Sequence, residues 1–137
     1  MKDTIRKVEY YKVMVPNKPG ASEKILVALG KARVSLLALC GFPRAGRAQL
    51  DLFPKDPDAF RKALRKAGIS PGKAKAAFLI QGPDRAGAGW EVGDKLGKAG
   101  INITAMHAVA ARGRQYGAIL WVKPGDVART AKVLGAS

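Results

Sequence analysis

A chain of 137 residues that is 47% hydrophobic and 26% charged has the apolar content of a globular domain, which excludes intrinsic disorder. Its 25 Lys and Arg against 10 Asp and Glu give a formal net charge of +15, which draws phosphates, nucleic acids or small anions. No apolar run approaches the ~20 residues of a bilayer span. The charged start Met1-Lys2-Asp3-Thr4-Ile5-Arg6-Lys7 lacks an apolar core behind it, so no signal peptide is expected and the expected location is cytoplasmic.

In chain order, residues 10–15 form a β-rich run closed by the turn letters Pro16-Asn17-Lys18-Pro19-Gly20. Ile25, Leu29 and Ala32 then recur at helical spacing. A nearly continuous apolar run over 34–39 reads as a strand, the stretch 41–46 with Pro43 as a turn, and 49–53 as a second strand alternating Leu50 and Leu52 with polar Gln49 and Asp51. Asp56-Pro57-Asp58 supplies an N-cap, a first-turn proline and a first-turn acid to a helix that buries Phe60, Ala63, Leu64 and Ala67.

The rest of the chain repeats this order. A shift of 67 positions lays Pro16-Asn17-Lys18-Pro19-Gly20-Ala21 on Pro83-Asp84-Arg85-Ala86-Gly87-Ala88, and Leu29-Gly30-Lys31-Ala32 on Leu96-Gly97-Lys98-Ala99. One further residue of shift aligns Asp58 with Asp126 and Arg61 with Arg129, so a single-residue insertion separates the halves. The second half therefore predicts a strand at 78–80, a turn over 82–87, and a helix marked by Trp90, Val92, Leu96 and Ala99. A hairpin around Arg112-Gly113-Arg114 and a short helix opened by Asp126 follow.

The two turn motifs, each closing a strand and opening a helix, with Gly100-Ile101-Asn102-Ile103 at the start of a later strand, resemble a pair of ACT domains. The resemblance covers almost the whole chain. It implies an α/β protein of two ferredoxin-like βαββαβ modules in tandem with antiparallel sheets, spanning 4–72 and 73–137. A βαββαβ unit needs a strand after its second helix, and neither half has room for one. Each long leading strand is therefore expected to serve twice, 73–76 completing the first sheet and 6–9 the second, with outer strands exchanged between modules.

A glycine at a helix start admits a carboxylate to backbone N–H groups at the positive end of the helix dipole. Asn17 and Asp84 add oxygens for an α-ammonium. The resemblance makes the two turns amino-acid sites, with Asn17, Lys18, Gly20 and Ala21 in the first and Asp84, Arg85, Gly87 and Ala88 in the second. It adds Ser35 and Asn102 as secondary contacts. Of the two, the Asp84 loop has more glycine. The implied function is a regulatory module that binds an amino acid between modules, as a homodimer, and signals to a partner protein.

Other chemistries lack their parts. No Lys-Ser/Thr pair follows the second glycine of 82–88, so it is not a phosphate-binding loop. Cys40 and His107, equivalent under the 67-residue shift, have no orienting third group, and one Cys with one His makes no metal site. No enzyme, metal or cofactor is expected. Two alternatives stay open: RNA binding, for which Arg114-Gln115-Tyr116-Gly117 partly echoes an aromatic stacking strand inside a basic motif, and a ligand-free dimerisation module.

Overall fold

The computed structural model describes residues 2–137. Its elements run β1 (Thr4–Pro16), α1 (Ala21–Lys31), β2 (Leu36–Arg44), β3 (Arg47–Pro54), α2 (Pro57–Lys66), β4 (Lys75–Pro83), α3 (Trp90–Lys98), β5 (Ile103–Ala111), β6 (Gln115–Val122) and α4 (Val127–Leu134), the last preceded by a short 3-10 turn at Pro124–Asp126. This is the expected α/β repeat. The two runs β1α1β2β3α2 and β4α3β5β6α4 share one order, and their strands pair antiparallel.

The chain divides into two compact units, and the cuts fall inside strands. The first unit is Glu9–Lys75; the second joins the leading residues through Val8 to Ala76–Ser137. In the first unit the strand order is β2-β3-β1. In the second, the opening of β1 lies beside β4, then β6, then β5. Thr4 Oγ1 donates to the Gln81 carbonyl at 3.3 Å. Along the other edge of the same segment, Lys7 N donates to Ser137 O at 3.0 Å and Ser137 N to Ile5 O at 3.1 Å. Ile5 is also a buried member of the second unit's core. The opening of β1 thus serves the second unit, as expected for 6–9, and covers backbone of β4 that would otherwise be unpaired.

Each unit has its own core between helices and one sheet face. In the first, alternate residues Tyr11, Val13 and Val15 of β1 and Leu50 and Leu52 of β3 meet Ile25 and Leu29 of α1 and Phe60 and Leu64 of α2. In the second, Phe78, Ile80, Leu120 and Val122 meet Val92, Leu96 and Leu134. α2 starts as its letters predict: Pro57 sits in its first turn, and the Asp56 carboxylate accepts from the backbone N–H of Asp58 at 3.1 Å and Ala59 at 3.2 Å.

Several local expectations are corrected. The stretch 41–46 is not a turn: β2 runs to Arg44 and the chain reverses at Ala45-Gly46, both at positive φ, as a two-residue hairpin needs. β2 pairs only with β3, so Pro43 sits where its missing N–H costs no ladder bond. The second hairpin spends three residues, Arg112-Gly113-Arg114, and this is the one-residue insertion. Gln49 and Asp51 are buried rather than solvated; Gln49 Nε2 donates to Asp51 Oδ1 at 2.9 Å, while Gln49 Oε1 has no hydrogen-bond partner among the described residues. Ala67, the residue closing α2, is exposed, because its position lies beyond the last turn that faces the sheet. Trp90 is 64% exposed on the first turn of α3. Residues 73–74 lie outside β4, which starts at Lys75 after Pro71-Gly72.

Candidate functional site

In the first unit, β1 ends at Pro16 and α1 begins after Gly20, whose left-handed φ of 83° only glycine adopts freely. No side chain caps this helix. Below the turn lies a groove of about 750 Å³, walled by the end of β1, the first turn of α1 and residues 68–72, which follow α2. Lys12, Lys18 and Lys24 line it, with Gly20, Ala21 and Ser70, and no acid is among its walls. Burial first, then the neighbouring Lys75 ammonium, push Lys12 below its ordinary pKa. A surface of this kind offers cationic donors and a helix N-terminus to an anionic group.

The second unit builds its loop differently. The backbone winds through Gly87 and Gly89, both left-handed, so α3 starts two residues later than the repeat predicts. Arg85 turns back under the loop and meets the carboxylate of Asp3, a side chain wholly removed from solvent: Nη1 to Oδ1 is 3.0 Å and Nη2 to Oδ2 is 3.3 Å. Tyr116 Oη donates to Oδ2 at 2.8 Å. Arg85 also donates to the Pro83 carbonyl at 2.8 Å and lies 3.9 Å from Glu91. Burial works to raise the Asp3 carboxyl, but the hydrogen bonds from Arg85 and Tyr116 outweigh it and hold the group below its ordinary value. Burial and the bond to Asp3 push the Tyr116 phenol up to about 12. Gly82 leaves the room this needs, since a Cβ there would run into the Asp3 carboxylate.

Of the residues named from sequence, Lys18, Gly20 and Ala21 come together at the groove, while Asn17 is exposed and outside its walls. Asp84 is exposed, with its backbone N–H on the Arg114 carbonyl at 2.8 Å. Gly87 is exposed, Ala88 packs against the second core, and Arg85 is engaged by Asp3. Ser35 precedes β2 and accepts from Lys55 N at 2.9 Å through its carbonyl; Asn102 is exposed before β5, and neither reaches the groove. Burial and the charge of Asp51 push the Cys40 thiol up, away from the thiolate a nucleophile needs. Tyr116 is buried and bonded to Asp3, so the base-stacking role that the RNA alternative gave it has no exposed ring to use. Sequence reasoning missed Asp3, Lys12, Lys24 and Ser70, and gave Tyr116 a base-stacking role instead of its bond to Asp3. Asp3 was findable: the 67-residue shift sets it on Ser70, where the chain re-enters at the other loop.

No known family profile matches this chain, and no curated protein matches it in sequence. Solved structures do match in fold. Protein BT0572 from Bacteroides thetaiotaomicron aligns with a TM-score of 0.77 at 23% identity, over 98% of this chain and 90% of that one. The fold is that of tandem ACT modules. The ligand-free regulatory subunit of aspartate kinase from Thermus thermophilus aligns at TM-score 0.62 and 15% identity, over 98% of this chain and 95% of that one. Aspartokinase III of E. coli, solved with lysine and aspartate, aligns at TM-score 0.51 and 13% identity over 97% of this chain, which spans 32% of that enzyme. Among the described residues, no helix is long and apolar enough to cross a membrane.

Proposed function

We propose that the protein is a regulatory module that binds an amino acid in the groove of its first unit and transmits occupancy to a partner protein. The observation that carries this reading is the groove itself: about 750 Å³ of space at an uncapped helix start whose glycine turn leaves the backbone open, lined by Lys12, Lys18 and Lys24. A ligand carboxylate on those donors, bridging β1, α1 and the segment after α2, would favour one arrangement of the three and so shift an equilibrium that a partner reads. The tandem ACT fold, shared with a regulatory subunit of aspartate kinase and with an aspartokinase solved with lysine, supports an amino-acid ligand and a partner enzyme.

Self-association belongs to the same reading. Among the described residues β5 pairs only with β6, and from Thr104 to Ala111 its residues are exposed and include no Lys, Arg, Asp or Glu, with Val109 70% exposed. Such an edge, bare of lysine or proline, offers its open backbone to a second copy.

A thermal-shift screen of the twenty amino acids tests the function. At least one is expected to raise the melting temperature in a concentration-dependent way, and the gain should vanish in Gly20→Val. If no amino acid shifts the transition at millimolar concentration, the reading fails.

A further inference from the structure

The two loops occupy equivalent positions in the repeat, and one of them already holds a carboxylate. Asp3 meets Arg85 through two parallel N–H···O contacts and takes a third hydrogen bond from Tyr116, the arrangement by which proteins recognise a free carboxylate. Every participant has a counterpart in the first unit, and each substitution opens the site or adds positive charge. Arg85 becomes Lys18, Glu91 becomes Lys24, and Asp3 becomes Ser70. The strand pairing sets Tyr116 opposite Gly82 and Ala48 opposite Val15, so an alanine stands where the phenol closes the second unit. The cation remains, the internal acid is gone, and a groove is left.

From this we infer that Asp3 is a built-in occupant of the second loop and that the first-unit groove takes a free ligand in its place, an acidic amino acid carrying two carboxylates. The inference rests on the reading of this groove as an amino-acid site and narrows it to one class. One carboxylate takes the place of Asp3 beside Lys18. The second answers Lys24, which a neutral amino acid leaves uncompensated among walls that contain no acid, whereas Lys12 stands opposite Asp51 across the strand pair. The Ser70 hydroxyl is the side-chain acceptor for an α-ammonium. In the second unit, Glu91 at 3.9 Å from Arg85 and the buried Asp3 together repel an added anion, so only one loop binds.

Isothermal titration calorimetry of the full chain with L-glutamate, L-glutamine, glutarate and inorganic phosphate tests this, in the wild type and in Ser70→Asp and Lys18→Gln. Glutamate is expected to bind at least tenfold more tightly than glutamine or phosphate, with one site per chain. Ser70→Asp should reproduce the second unit by supplying an internal carboxylate and weaken glutamate at least tenfold, as should Lys18→Gln. Both positions are exposed, so folding is retained. Equal affinity for glutamine would overturn the acidic class while leaving the amino-acid reading standing. Tight glutarate with no amino acid binding would defeat the amino-acid reading, and the inference with it. Phosphate binding as tightly as glutamate, or full affinity in Ser70→Asp, would overturn the inference.

Discussion

The loop at Pro16–Gly20 and the loop at Pro83–Gly87 descend from one pattern, yet they end in opposite states. Around the second, a carboxylate from the chain's own start is buried on Arg85 and Tyr116, Glu91 faces the same arginine, and α3 begins late. Around the first, serine and alanine replace the acid and the phenol, lysines stand on both sides, and space remains. A duplicated motif thus separates into a structural clamp and a candidate receptor through a few side chains, while the backbone plan stays the same. Glycine content gives the Asp84 loop more backbone access, whereas side-chain occupancy leaves the other loop open.

The largest break in this symmetry comes from removing the start of the chain. Truncation of residues 1–9 deletes Ile5 from the second core, the strand beside β4 and the Asp3 carboxylate together. Burial of a side chain such as Ile5 alone contributes ~1.5–3 kcal/mol, and the backbone of β4 and Ser137 is left unpaired as well. The second unit is expected to lose its hydrogen-exchange protection while the amides of residues 10–75 lose less; retained protection throughout β4 and β6 would show that the opening of β1 is dispensable there.

Asp3→Ala is the next step down. It removes the acceptor of charged hydrogen bonds and should cost roughly 1.5–3 kcal/mol in a denaturant titration. Because Asp3 titrates below its ordinary 3.8 in the folded chain, its contribution is complete above that value and is lost as pH falls through the lower folded pKa. Tyr116, raised from 10.0 to about 12, contributes below its ordinary value and loses that contribution as pH rises through about 12. Both limbs of the stability profile should flatten in the variant. Lys18→Gln, at the equivalent of Arg85, has no buried partner to orphan and should leave the unfolding midpoint unchanged, the smallest effect of the series.

Much of the fold was legible in the residues because its signals are local and duplicated. The turn letters, the helical spacing of Ile25 and Leu29 and the cap at Asp56 each fix their own segment, and the long leading strand foretold that its opening would serve the second unit. Less legible was what depends on pairing at long range. Whether Gly41 to Arg44 turns or extends is decided by β3 across from it, and the burial of Gln49 and Asp51 by their mutual bond. The site was half legible. Lys18 and Gly20 follow from the motif, but Asp3 lies 82 residues from Arg85 and carries no local sign of its role.

The central claim is that one loop is occupied from within and the other is open, and an amide-resolved NMR titration of the full chain with L-glutamate tests it most directly. The resonances of Lys18, Gly20 and Ala21 should move with saturable dependence on ligand while those of Arg85, Gly87 and Ala88 stay in place. Saturable shifts centred on Gly87, with Gly20 unmoved, would contradict the account.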